Sequence, residues 1–249
     1  MTESRVDTKT RFDCRGLINN SLVEWEGRIC TVVFAAGCNW RCPFCHGWRF
    51  VLEADKLDPV DPEAVFTLLE QERGWIDGVA ITGGEPTLQP GLVSFVESVK
   101  DYGVEIKLET NGTRPDVVAR LLDGDLLDCL CLDYKAPLDE RLQKVTCVSE
   151  EVTAVDAVRR TFALAAESGL EREYHTTLCP RFIDAGLLEE MARALEPGGL
   201  WVLQQYELEE RLDPDAAGEL RYDVAELEHL EGVARRHHER VLLRKGRGA

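Results

Sequence analysis

The stretch FAAGCNWRCPFCHGW, Phe34 to Trp48, places Cys38, Cys42 and Cys45 within eight residues at the spacing C-x3-C-x2-C. Three thiolates so close together suit one face of a cubane iron–sulfur cluster and leave one iron without a protein ligand. An electron-transfer cluster normally has four cysteine ligands, so a three-cysteine loop keeps a coordination position for a substrate or cofactor. Structural zinc, with His46 as a fourth ligand, is the rival reading. It is strained, because Cys45 and His46 are adjacent and zinc patterns commonly come as two separated pairs. Buried cysteines with no ligand at all are the bland alternative.

Around this loop, short apolar runs alternate with helical periods. Strands are expected at 29–36, 78–82, 104–109, 127–133, 170–178 and 200–205, rich in Val, Ile, Leu and Cys without strict polar alternation, as suits strands buried on both faces. Helices are expected between them. Asp61-Pro62 offers a cap and a first-turn proline, and further helical stretches cover 92–101, 115–122, 151–167, 187–195 and 223–240. Six β-α steps in series imply parallel strands with right-handed crossovers, in an open sheet or a barrel. The unusual chemistry follows strands: the cysteine loop the first, Gly83-Gly84-Glu85-Pro86 the second, Thr110-Asn111-Gly112 the third and Tyr134-Lys135 the fourth. Strand carboxyl ends carry the active site in parallel α/β folds, so these features are expected to share one pocket.

Composition bounds the function. The chain has 249 residues, 44% hydrophobic and 30% charged, without an apolar run of the roughly 20 residues that span a bilayer. Its amino terminus, MTESRVDTKTRF, lacks the apolar core of a secretory signal, so a cytoplasmic location is expected. A formal charge of −17 disfavours general binding to nucleic acid. The basic tail from RRHHER to LLRKGRG reads as a solvated helix end and a frayed terminus. Nine cysteines, odd in number and clustered, argue for a metal or cluster site over a disulfide framework.

The run Cys38-Asn39-Trp40-Arg41-Cys42-Pro43-Phe44-Cys45-His46 resembles the signature loop of the radical S-adenosylmethionine (SAM) enzymes. The resemblance implies a partial (β/α)6 barrel of parallel strands with outer helices. It also implies a [4Fe-4S] cluster on the three cysteines whose open iron chelates SAM, with Phe44 and His46 beside the cofactor. Ile81–Thr87 is similar to the GGEP motif, implying that Gly83, Gly84, Glu85 and Pro86 contact the cofactor's amino group. Glycines there let a backbone approach a ligand closely. Leu108–Thr113 is similar to the LDTNG stretch of glycyl-radical-enzyme activases, and Asp133-Tyr134-Lys135 to their D-x-K motif. Glu109, Asn111, Asp133 and Lys135 would then face the cofactor, and Glu109, Thr110 and Asp133 would suit a monovalent cation. Glu109 departs from the usual aspartate.

The likeness extends over residues 14 to 212. Gly16-Leu17-Ile18, with SLVEW at 21–25, is similar to the lead-in of the anaerobic ribonucleotide reductase activating proteins, and HTTLCP and VLQQYE to their late segments. His175 stands where arginine is usual, and is the weakest of the cofactor-binding positions. The expected division is a lead-in at 1–27, a core at 28–212 and a C-terminal helix with its tail at 213–249. The implied activity is reductive cleavage of SAM to a 5′-deoxyadenosyl radical that abstracts hydrogen from a glycine of a partner glycyl radical enzyme. A flavodoxin or ferredoxin would supply the electron. The same chemistry on a small metabolite, peptide or tRNA base is the alternative; an iron–sulfur carrier or zinc protein is the alternative of another class. Cys30, Cys129 and Cys131 are expected as core fillers, while a pocket-facing Cys147 or Cys179 would favour the metabolite reading.

Overall fold

A strand buried on both faces needs apolar residues at successive positions, and CTVVFA at Cys30–Ala35 supplies them. In the computed structural model, which describes residues 12–209, 211–218 and 220–246, this run is a strand, as are the other five expected ones. The expected α/β class, a partial barrel of mainly parallel strands with helices between them, is met. Two compact units make up the chain. One holds residues up to Cys38, Arg49–Thr110 and Asp116–Cys129; the other holds Asn39–Trp48, Asn111–Pro115 and everything from Leu130 onward.

The first unit runs β1 (Cys14–Ser21), β2 (Cys30–Ala35), α1 (Trp48–Leu52), α2 (Pro62–Gln71), β3 (Gly78–Gly83), α3 (Leu92–Lys100), β4 (Glu105–Thr110) and α4 (Pro115–Asp123). β2, β3 and β4 pair in parallel, with Val33 opposite Ile81 and Ile81 opposite Leu108. Asp61 caps α2 by accepting from the Glu63 N–H, and Val65, Leu68 and Leu69 form its buried face. Trp25 is fully buried with Cys30, Val32, Ala80 and Cys129, and Arg28 stacks over its ring at 4.4 Å. Cys30 and Cys129 are therefore core fillers, as expected.

β1 was not among the expected strands. It pairs antiparallel with β2, and its Arg15, Asn19 and Asn20 give it the polar character of an edge, which hides a strand from a search for apolar runs.

The second unit contains β5 (Cys129–Asp133), α5 (Arg141–Thr146), α6 (Glu150–Thr153), α7 (Val155–Glu167), β6 (Glu171–Leu178), α8 (Ala185–Ala194), β7 (Leu200–Gln205), α9 (Pro214–Ala217), α10 (Val224–Arg235) and β8 (Val241–Arg244). Two expectations are corrected here. The single helix over 151–167 is broken at Ala154, whose φ is 52°. The buried Thr153 hydroxyl meets that of Thr146 at 3.0 Å, and β-branched Val152 and Thr153 hold the helix poorly. The basic tail is not a solvated helix end, because α10 stops at Arg235 and β8 pairs in parallel with β7. His238 makes the turn. It is buried, its Nε2 bonds the Gly199 carbonyl at 2.9 Å, and its ring meets Trp201 edge-on at 6.0 Å. Residues 1–11 of the expected lead-in and signal-free start, and 247–249 of the tail, lie outside the described residues. No helix among the described residues is long and apolar enough to cross a membrane.

Candidate functional site

The cysteine loop leaves β2 and is held at each step by main-chain bonds. In the first unit the Gly37 N–H donates to Phe50 O at 2.7 Å, and the Gln89 side chain donates to Ala36 O at 2.5 Å. In the second, Arg41 N–H donates to Thr146 O at 2.8 Å, Cys45 N–H to Cys42 O at 3.0 Å, and Asp213 N–H to Pro43 O at 3.0 Å. Among the described residues the cysteines form no disulfide. Phe44 is buried with its ring edge-on to Phe182 at 5.7 Å.

Close backbone packing explains the two glycines that follow β3. Gly83 has φ of 110°, and a Cβ there would fall 2.5 Å from the Ala35 nitrogen. A Cβ on Gly84 would fall 1.9 Å from the Gly37 carbonyl oxygen. Gly84 N–H donates to Ala35 O at 2.9 Å and Glu85 N–H to Gly37 O at 2.7 Å, so the turn is laid against the residues leading into Cys38. The Glu85 side chain is buried, and its Oε1 accepts from Thr87 N–H at 3.0 Å and from Thr110 Oγ1 at 2.7 Å. That carboxylate ties the turn to the end of β4. Pro86 opens the short 3-10 turn Pro86–Leu88.

Asn111 is buried and turned toward the cysteine loop. Its Nδ2 donates to Asn39 Oδ1 at 2.8 Å, and its Oδ1 accepts from Thr113 N–H at 3.0 Å and Thr113 Oγ1 at 2.8 Å. His46 is also engaged by the protein. Its Nε2 accepts from Glu207 N–H at 3.3 Å, and its Nδ1 lies 3.4 Å from the Gln204 amide.

Lys135 and Asp133 form an ion pair at 2.8 Å, with the lysine side chain only 15% exposed. Burial works against the Lys135 charge, but the Asp133 carboxylate outweighs it and keeps the ammonium above its ordinary pKa. Cys42 and Cys45 interact electrostatically with this ammonium. Burial pushes the Cys45 thiol up to about 11, and Lys135 opposes that by favouring thiolate. In the same unit, His175 on β6 lies 3.0 Å from the Glu173 carboxylate, which is fully buried. Cys131 and Cys179 are buried, Cys179 donating to Ala217 O at 3.4 Å, while Cys147 is exposed in a left-handed cap of α5.

In the first unit, Glu109 has one hydrogen-bond donor and one ion-pair partner on the chain itself. Thr82 Oγ1 donates to Oε2 at 2.7 Å, and Lys107 Nζ lies 3.4 Å from Oε1. Sequence reading had not picked out Lys107, Thr82, Asn39 or Gln204. For Lys107 the signal was present: a lysine two residues before Glu109 on a strand shares its face.

Residues 32–201 match the family model described as the Radical SAM superfamily. A candidate glycyl-radical enzyme activating enzyme of Methanocaldococcus jannaschii is 27% identical over 230 residues, covering 92% of this chain and 94% of its own. A 7-carboxy-7-deazaguanine synthase of Hyperthermus butylicus is 43% identical over 96 residues, 36% of this chain and 38% of its own. Among solved structures, a radical SAM methyltransferase from Sphaerobacter thermophilus aligns with a TM-score of 0.65 at 17% identity, covering 90% of this chain and 68% of that one. QueE from Escherichia coli aligns with a TM-score of 0.51 at 17% identity, covering 94% of both chains. At such identities these two structures speak for the fold alone.

Proposed function

The chain belongs to the radical SAM superfamily, and we propose that it is an activase that takes a hydrogen atom from a glycine of a partner glycyl radical enzyme. The observation that carries the activase reading is the end-to-end match to the M. jannaschii protein, which spans nearly all of both chains. A small-molecule substrate is the second reading, favoured by the higher identity to the deazaguanine synthase over a shorter stretch.

The residues fit the cluster and SAM. Three thiols at C-x3-C-x2-C leave one iron of a cubane open, and the turn at Gly83-Gly84 has no room for side chains against the backbone before Cys38. Cys38, Cys42 and Cys45 would hold the [4Fe-4S] cluster. When bound, the cluster and SAM would supply radical chemistry able to remove a hydrogen atom, with a flavodoxin or ferredoxin as the electron donor. The chain's own contribution is placement and charge. Lys135 stabilises thiolate at Cys42 and Cys45 and offers an ammonium to the SAM carboxylate. The Gly83–Pro86 backbone would receive the SAM amino group, because the Glu85 carboxylate is turned onto Thr87 and Thr110. Phe44, packed on Phe182, would border the adenine. Asn111 and His46 hold the loop and act on the cofactor through it, while Asp133 fixes Lys135 and Glu173 fixes His175.

The test is anaerobic reconstitution followed by dithionite and SAM, then mixing with glycyl radical enzyme from the same genome. A doublet glycyl radical signal in electron paramagnetic resonance is expected. Formation of 5′-deoxyadenosine with no such signal would move the assignment to the small-molecule reading.

A further inference from the structure

Lys107 sits on β4 between Ile106 and Leu108, and its side chain is wholly buried. An ammonium keeps its charge in such a place only where other groups replace water around it. Its Nζ donates to the Glu24 main-chain carbonyl and lies 3.4 Å from Glu109 Oε1. Glu109 is two residues further along the same strand, so both side chains leave one face. The second Glu109 oxygen accepts from Thr82 on β3 at 2.7 Å. The neighbouring Thr110 hydroxyl donates to Glu85, and Asp133 is paired with Lys135. Each oxygen-bearing side chain that the sequence offered to a monovalent cation therefore meets a partner from the protein.

We infer that Lys107 is a built-in counter-cation for Glu109, supplying the positive charge that a bound monovalent ion would otherwise supply at this carboxylate. Lys107 is a positioning residue: it acts through Glu109, which it holds against Thr82. The glutamate that stands where aspartate is usual meets Thr82 through one oxygen and Lys107 through the other. This inference rests on superfamily membership and on the geometry of one unit, and is independent of which substrate loses hydrogen.

The experiment compares anaerobic, full-length protein in potassium, sodium or choline chloride at one ionic strength, reading the thermal midpoint and, after reconstitution, the Kd for SAM. Wild type is expected to give the same midpoint and Kd in all three salts. Lys107→Met is expected to unfold at lower temperature in choline and to regain about 4 °C or more in potassium or sodium chloride, as a small cation enters beside Glu109. If Lys107→Met does not fold, Lys107→Met/Glu109→Gln carries the test, and it is expected to fold because neither charge is then left alone. Three results would each overturn the inference: a wild type that gains several degrees or fivefold SAM affinity from potassium, a folded Lys107→Met indifferent to the cation, or a double variant no more stable than Lys107→Met. Failure to generate a glycyl radical changes none of these readings.

Discussion

Asn111 donates from Nδ2 to Oδ1 of Asn39 at 2.8 Å, and Thr113 closes the pair into a ring, its hydroxyl meeting Asn39 Nδ2 at 2.9 Å and Asn111 Oδ1 at 2.8 Å. Asn39 is the residue after Cys38, so the loop's first cysteine is fixed through its neighbour. Asn111→Ala removes the partner of the half-buried Asn39 amide, at a cost of about 1 kcal/mol. The variant is expected to fold and to take up iron, then to lose it to a chelator several-fold faster than wild type. Iron and sulfide content followed against time under anaerobic chelation checks this, and an unchanged rate would remove Asn111 from the loop's support.

Backbone proximity at Gly84 gives a sharper contrast. A methyl there would overlap the Gly37 carbonyl oxygen, whereas one on Gly232, inside α10, meets nothing within 4 Å. Gly84→Ala is expected to lose several kcal/mol and most bound iron, because the turn and the cysteine loop must separate. Gly232→Ala should instead gain about 0.5–1 kcal/mol from helix propensity. Chemical denaturation of the two variants side by side reports both signs.

Local pattern made most of this fold readable, and the places where it did not are those where a partner distant in the chain decides. CTVVFA, GVAITG and CLCLD are strands in any buried context. VLLR at 241–244 is too short and too basic to declare itself, and becomes β8 because β7 offers it an edge. The cysteine loop and the glycine turn were legible because their chemistry requires a fixed spacing. Asn111 reads as a cofactor contact because its stretch resembles the LDTNG motif. That it grips Asn39, 72 residues away, follows only from the folded chain. Lys107 was overlooked because a lysine within a strand ordinarily reads as a surface residue.

Tyr222 links the end of β7 to the segment before α10. Its hydroxyl donates to Ile183 O at 2.5 Å, and its own carbonyl accepts from Gln205 Nε2 at 2.7 Å. Burial, reinforced by the nearby carboxylates of Asp184 and Glu226, pushes the phenol from 10.0 up to about 12. A folded pKa above the unfolded one means the stabilisation is complete below pH 10 and is lost as pH rises through about 12. Tyr222→Phe is expected to lose about 1 kcal/mol at neutral pH. It should also flatten the fall in stability between pH 10 and 12. Urea unfolding at several alkaline pH values tests the slope; an identical slope in both proteins would deny Tyr222 this part.

Lys135 separates a structural ion pair from a cofactor contact. As a simple partner of Asp133, it should be replaceable by methionine together with Asp133→Asn at little cost to SAM binding. As the group that meets a carboxylate, its loss should weaken SAM by roughly tenfold or more, since a charge-assisted hydrogen bond contributes about 1.5–3 kcal/mol. The electrostatic influence between Lys135 and Cys42 and Cys45, two of the proposed cluster ligands, favours the second role. Lys135→Met and the double variant are both expected to lose SAM affinity, and Lys135→Arg to keep part of it, in anaerobic equilibrium dialysis of reconstituted protein. Normal affinity in the double variant would reduce Lys135 to the companion of Asp133.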